Sequence, residues 1–174
     1  AMIMPRASGQ LLLPANPFFV WGSIVFALLV NLLPVGRAAW MPDMLALVVV
    51  FWNVHQPRRV GVVAAFVCGV LMDVHQGALL GQHALSYTLL GYAAVALHRR
   101  LLWFGLGGQM AHVLPVFLLA QLLSATIRLA AGGMWPDWGV VASPLIQTLL
   151  WPVATALLLA PQRRAHDRDE NRPL

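Results

Sequence analysis

The chain contains no lysine, because all eleven of its basic residues are arginine. A Ser–Lys dyad and a lysine Schiff base are therefore excluded. Glu170 is the one glutamate, so the H-E-x-x-H zinc motif of many metalloproteases is absent. No serine lies in a G-x-S-x-G turn, and no glycine-rich loop ends in lysine to hold nucleotide phosphates. These absences argue against catalysis and predict a protein that is not an enzyme and uses no cofactor.

Cysteine and charged residues are also scarce. Cys68 is alone, which excludes an intrachain disulfide and predicts a buried structural thiol. Charged residues make up 10% of the 174 and hydrophobic residues 60%. A soluble domain usually carries about 25% charged residues, so this chain lacks the polar surface that water requires. The composition predicts an integral membrane protein.

Apolar runs separated by polar turns predict an all-α integral membrane protein with about six transmembrane helices in one domain over residues 1–160. The predicted spans are about 17–33, 42–54, 60–73, 78–97, 106–130 and 140–160. The second and third are shorter than the roughly 20 residues that a bilayer requires, so a re-entrant pair is an alternative. Two full spans are preferred because Arg58 and Arg59 between them need an aqueous environment. A signal peptide is the less favoured interpretation of the first span, since its apolar run is long. Residues 161–174 are predicted to form a disordered cytoplasmic tail.

The arginines alternate in a way that predicts the orientation of the chain. Only Arg37 and Arg128 fall on one side of the predicted membrane. The other nine fall on the opposite side: Arg6, Arg58, Arg59, Arg99, Arg100, Arg163, Arg164, Arg168 and Arg172. By the positive-inside rule, both termini are then cytoplasmic. Short clusters between spans differ from the continuous basic face of a nucleic-acid-binding protein, so no nucleic acid is expected as a partner.

The third span carries small residues at every fourth position. Gly61, Ala65, Gly69 and Asp73 form one ridge on a helix, which allows another backbone to approach closely. A carboxylate at the tip of the ridge is costly to expose to lipid, so Asp73 is expected inside the protein. It precedes the fourth span, where it suits the positive end of the helix dipole. Gly77 and Gly81, also four residues apart, predict a close crossing of the third and fourth spans.

A metal site is the alternative interpretation of the turn that follows Asp73. Asp73, His75 and His83 together have enough ligands for a three-residue site. The helix-end interpretation is preferred, so no metal is predicted, and an ion or proton site is the remaining alternative.

The order and spacing of these residues resemble the MreD family of bacterial rod shape-determining membrane proteins. The resemblance is most specific between residues 42 and 92. It is carried by Pro42-Asp43-Met44-Leu45, Pro57-Arg58-Arg59-Val60-Gly61, Phe66-x-x-Gly69-x-Leu71-x-Asp73, Gly77-x-x-Leu80-Gly81 and Gly91-Tyr92. The pair His75-Gln76 departs from the pattern expected for the turn.

The resemblance implies a non-enzymatic scaffold of the cell-elongation peptidoglycan synthesis complex in the bacterial inner membrane. The implied partners are membrane lipid, an MreC-like single-span coiled-coil protein and, through it, the RodA glycosyltransferase, its transpeptidase partner and the MreB filament. The implied fold resembles the substrate-binding (S) subunit of energy-coupling-factor transporters, so a vitamin-binding transporter subunit is the alternative function. The candidate structural or partner-interface residues are Asp43, Gly61, Ala65, Gly69, Asp73, Gly77 and Gly81.

Overall fold

The computed structural model describes residues 13–34 and 38–163. Over these residues the fold is all-α with six helices, as predicted. The helices are α1 (Pro17–Leu32), α2 (Met44–His55), α3 (Gly61–Gln76), α4 (Gln82–Trp103), α5 (Leu106–Ala130) and α6 (Gly139–Leu159), followed by a 3₁₀ turn at Ala160–Gln162. Helix α4 differs most from the predicted spans, because it begins at Gln82 rather than 78 and continues past 97 to Trp103.

Helix α2 lies at the centre of the bundle. Nine of its twelve residues are buried and none is exposed. It packs against α1, α4 and α6, and less extensively against α3. Trp52 is fully buried and its indole N–H donates to the Ser23 hydroxyl of α1 at 2.7 Å. At 1.5 Å per residue α2 is only about 18 Å long, so the surrounding helices enclose it along its length.

Helix α4 joins the two halves of the bundle. It packs against α2, α3 and α5, and α5 in turn packs against α6. The Trp151 indole N–H of α6 donates to the Gln109 side-chain oxygen of α5 at 3.0 Å. Since indole N–H groups need a partner when buried, this bond fixes the relative position of the last two helices.

The outward faces of the peripheral helices are apolar. Helix α6 exposes one residue per turn along a single stripe: Val141, Leu145, Leu149, Val153 and Leu157. Helix α1 exposes Phe18, Trp21, Val25, Phe26 and Leu29. Two segments, Leu106–Ala130 and Gly139–Gln162, are long and apolar enough to cross a bilayer, and α1, α2 and α3 are shorter apolar helices. Lipid is the solvent that suits such surfaces.

Two hydrogen bonds locate one end of the bundle. The Arg59 guanidinium donates to the Ala15 carbonyl oxygen at 2.7 Å, and the Leu13 N–H donates to the Gln162 carbonyl oxygen at 2.9 Å. Arg58, Arg59, Arg99, Arg100 and Arg163 therefore lie at this end, and Arg128 at the other. Gln162 is buried, so the first residues of the predicted tail pack against the bundle. Arg6, Arg37, Arg164, Arg168, Arg172 and the rest of that tail lie outside the described residues.

Candidate functional site

Asp73 is buried in the last turn of α3, where its carboxylate caps the neighbouring helix α4. One oxygen accepts from the N–H groups of Gly81 at 2.8 Å and Ala84 at 3.2 Å. The other accepts from the His83 N–H at 2.7 Å and lies 2.9 Å from the His83 Nδ1 atom. The first N–H groups of a helix have no partner within that helix, and here a side chain of another helix supplies one. The acid thus neutralises the positive end of α4 within the bundle.

The predicted close crossing of α3 and α4 is present, but its assignment to Gly77 and Gly81 was wrong. Both have positive φ angles, 56° and 106°, and no heavy atom lies within 4 Å of a Cβ built on either. Gly77 ends α3 in the left-handed conformation, and Gly81 precedes α4. Gly61 also has a positive φ, 67°, and open space around it. All three glycines are required by backbone conformation at turns rather than by packing.

The close contact between α3 and α4 lies deeper, at Gly69 and Gly91. A Cβ at residue 69 would lie 2.6 Å from the Ala84 Cα and 2.6 Å from the His83 carbonyl oxygen. A Cβ at residue 91 would lie 2.8 Å from the Ala65 Cβ. The small-residue ridge of α3 therefore faces α4 of the same chain. Since α4 covers Ala65 and Gly69, these two residues are not accessible to a partner protein.

A second, half-buried acid, Asp43, connects four helices. Its Oδ1 atom accepts from the Ala46 N–H at 3.0 Å, which caps α2, and from the Asn31 amide of α1 at 2.6 Å. Its Oδ2 atom accepts from the Tyr87 hydroxyl of α4 at 2.5 Å. The Gln147 amide of α6 donates to the Asp43 backbone oxygen at 3.1 Å. Gln147 lies eight residues into α6, so Asp43 sits about 12 Å along the axis from the start of that helix.

Asn31 and Gln147 are absent from the candidates identified in the sequence. Each is an amide within an otherwise apolar run, at residues 17–33 and 140–160. Amide side chains inside predicted spans tend to face the bundle and form interhelical hydrogen bonds, which is the signal that could have identified them. Their shared partner could not be identified in this way, because Asp43 is 12 and 104 residues away in the sequence.

The structure brings Asp73 and His83 together but leaves His75 exposed. Within residues 13–34 and 38–163 no group of three His, Cys, Asp or Glu side chains is arranged to hold a metal ion. Each oxygen of the Asp73 and Asp43 carboxylates already accepts at least one hydrogen bond. The carboxylates are arranged for helix capping and interhelical bonding rather than for acid–base chemistry.

Two cavities adjoin this polar cluster. A cavity of about 80 Å³ lies among α2, α4, α5 and α6, and Asp43, Tyr87, Ser124 and Gln147 contribute to its lining. Pockets for small organic ligands usually measure about 300–1,000 Å³, so this cavity is too small for a vitamin. A groove of about 340 Å³ lies at the end of the bundle, beside the turn between α3 and α4.

Comparison with known proteins agrees with this helical arrangement. The family model described as "rod shape-determining protein MreD" matches residues 14–162, which include all six helices. The chain belongs to the MreD family. The rod shape-determining protein MreD of Haemophilus influenzae is 28% identical over 151 residues, which are 84% of this chain and 89% of that protein. No solved structure matches. Membership assigns to this chain the family's role in determining rod shape, and it agrees with the membrane character of the helices.

The MreD resemblance predicted from the sequence is thus confirmed, and its most specific part has a structural explanation. Residues 42–92 contain both capping acids, Asp43 and Asp73, and the close contacts at Gly69 and Gly91. The motif therefore specifies how α2, α3 and α4 join. Gly61, Gly77 and Gly81 mark the turns that connect or begin these helices.

Proposed function

We propose that this MreD protein is a non-catalytic scaffold of the cell-elongation peptidoglycan synthesis complex. It lies in the bacterial inner membrane with both termini cytoplasmic. It binds an MreC-like single-span coiled-coil protein and, through that partner, associates with the RodA glycosyltransferase, its transpeptidase partner and the MreB filament. Rod shape is maintained because the scaffold holds the synthetic machinery together.

The observation that carries this proposal is the use of the polar side chains. Asp73, Asp43 and their partners are engaged in capping and in hydrogen bonds between helices. Few of the groups that could perform chemistry are left free, while apolar faces of α1, α3 and α6 point outward. Such faces provide contact area for another membrane helix, where packing rather than water exclusion drives association.

Helix α1 is the face that best suits a helical partner. Among the described helices, only α2 makes extensive contacts with α1. Three of the exposed residues of α1 are aromatic: Phe18, Trp21 and Phe26. Aromatic side chains supply much of the binding free energy in protein interfaces. The exposed stripe of α6 consists of Val and Leu alone, which suits lipid.

The test is affinity purification from gently solubilised native membranes, with co-purifying proteins identified by mass spectrometry. We expect the wild type to recover a single-span coiled-coil protein. Trp21→Ala combined with Phe26→Ala should reduce that recovery by about tenfold, as loss of about 1.4 kcal/mol or more would. Leu149→Ala combined with Leu157→Ala is the matched control and should leave recovery unchanged. Equal recovery with all variants would rule out α1 as the contact surface.

Recovery of an ATPase module instead of a coiled-coil protein would indicate a transporter's binding subunit, the alternative function expected from the sequence. The small volume of the cavity among α2, α4, α5 and α6 argues against a vitamin site at that place.

A further inference from the structure

Arg128 lies in the last turn of α5, at the end of the bundle opposite the other described arginines. Helix α5 ends at Ala130, and Gly132 follows with a φ of 83°. The Gly133 N–H donates to the Arg128 carbonyl oxygen at 3.0 Å, which closes the helix end. A Cβ at residue 133 would lie 2.8 Å from the Arg128 Cγ. Glycine at 133 therefore leaves room for the aliphatic part of the arginine side chain.

Arg128 lines a groove whose surface is about half polar and half apolar. The groove of about 340 Å³ is lined by Gln76, Ala78, Leu79, Gln82, Arg128, Ala131 and Gly133. Gln82 is buried to all but 3% and is held by a 2.9 Å hydrogen bond from its amide to the Ser124 hydroxyl. Among the described residues no carboxylate forms an ion pair with Arg128. Asp43 lines the smaller cavity together with Arg128, and both oxygens of its carboxylate already accept hydrogen bonds.

We propose that this groove binds the phosphate of a phospholipid headgroup, with Arg128 as its counter-ion. Exposed Trp135 and Trp138 follow α5 directly, and tryptophans concentrate at the level of lipid headgroups. A guanidinium presents paired N–H donors to phosphate, and the neighbouring glutamines add neutral polar groups. Basic pockets between membrane helices are a recurrent form of headgroup site.

A simpler role for Arg128 would be to complement the negative end of the α5 dipole. Arg100 allows the two roles to be separated. It is also an exposed arginine in the last turn of a helix, α4, but it lines neither of the two cavities. Loss of either charge should affect the helix dipole to the same degree, whereas only loss of Arg128 should affect lipid binding.

The experiment is native mass spectrometry of the full chain in detergent, titrated with phosphatidylglycerol or with diacylglycerol of the same acyl chains. We expect the wild type to retain phosphatidylglycerol and not diacylglycerol. Arg128→Gln should weaken retention by about tenfold or more, and Arg100→Gln should not, since only the first removes a charge-assisted bond to phosphate. Gly133→Ala should weaken it to a smaller extent, by displacing the Arg128 side chain. Melting temperatures verify that each variant is folded.

Three outcomes would overturn the proposal. Retention by folded Arg128→Gln equal to that of the wild type would show that Arg128 does not contact the lipid. Equal losses in Arg128→Gln and Arg100→Gln would indicate a general effect of charge. Displacement of the lipid by an equal concentration of inorganic phosphate would make a soluble phosphate, rather than a headgroup, the ligand.

Discussion

Replacing Gly69 with alanine would test the packing of α3 against α4 directly. The added Cβ would lie 2.6 Å from the Ala84 Cα and from the His83 carbonyl oxygen, whereas ordinary contact begins at 3.4 Å. Because both neighbours are backbone atoms, no side-chain rotation can relieve the overlap. The two helices would have to separate by roughly 1 Å, which weakens the contacts along their whole interface.

Two opposing effects determine the size of the loss for Gly69→Ala. Overpacking a core typically costs about 1–3 kcal/mol, and a clash with two backbone atoms belongs at the upper end. Alanine in a helix interior gains about 0.8–1 kcal/mol over glycine. The free energy of unfolding should therefore fall by about 2 kcal/mol. For a chain of this size the melting temperature should fall by about 4–8 °C.

The assay is thermal unfolding of the detergent-solubilised protein, followed by tryptophan fluorescence, with Gly22→Ala as the matched control. Gly22 lies within α1, and no heavy atom comes within 4 Å of a Cβ built there. Gly22→Ala should gain only the higher helix propensity of alanine, so its melting temperature should be about 2–4 °C above that of the wild type. If both variants shift in the same direction by the same amount, the close approach at Gly69 is refuted.

Three further predictions concern the same joints and use the same melting assay. Gly91→Ala alone should cost about 1–3 kcal/mol, and adding Ala65→Gly should restore most of it by removing the 2.8 Å contact; additive effects would contradict that contact. Asp73→Ala should cost about 2–4 kcal/mol because it leaves buried N–H groups of α4 without an acceptor, while the exposed Asp137→Ala should stay within about 0.5 kcal/mol; equal shifts would disprove the capping role. Tyr87→Phe should cost about 1 kcal/mol, and an unchanged melting temperature would mean that its bond to Asp43 contributes nothing.

The helix count and the all-α class could be predicted because apolar runs of sufficient length have few alternatives in a membrane. The boundaries of α4 were harder to predict. Hydropathy places its end near 97, where His98, Arg99 and Arg100 begin, but the helix continues to Trp103. Charged residues end the apolar span without ending the hydrogen-bonded helix, since hydropathy indicates membrane depth rather than helix length.

The glycines show a different limit of prediction from sequence. Glycine allows close helix packing because it is small, and it allows tight turns because it can adopt a positive φ. A spacing of four residues does not distinguish these two uses. The spacing predicts close packing for Gly77 and Gly81, but both form turns, whereas Gly69 and Gly91 form the close contacts. The polar cluster around Asp43 could not be predicted from the sequence for another reason. Its members come from four helices, and only the tertiary structure brings them together.

The enclosed position of α2 has a consequence for biosynthesis. This helix leaves the ribosome before α4 and α6, which cover much of its surface. Until they arrive, α2 can pack only against α1 and α3. Its buried Asn53 and its half-buried N-cap residue Asp43 then lack most of their final surroundings. A twelve-residue helix in that state is a poor independent membrane segment. Its stable placement must therefore follow synthesis of α4, so we expect truncation before Gln82 to leave α2 accessible to chaperones and membrane proteases.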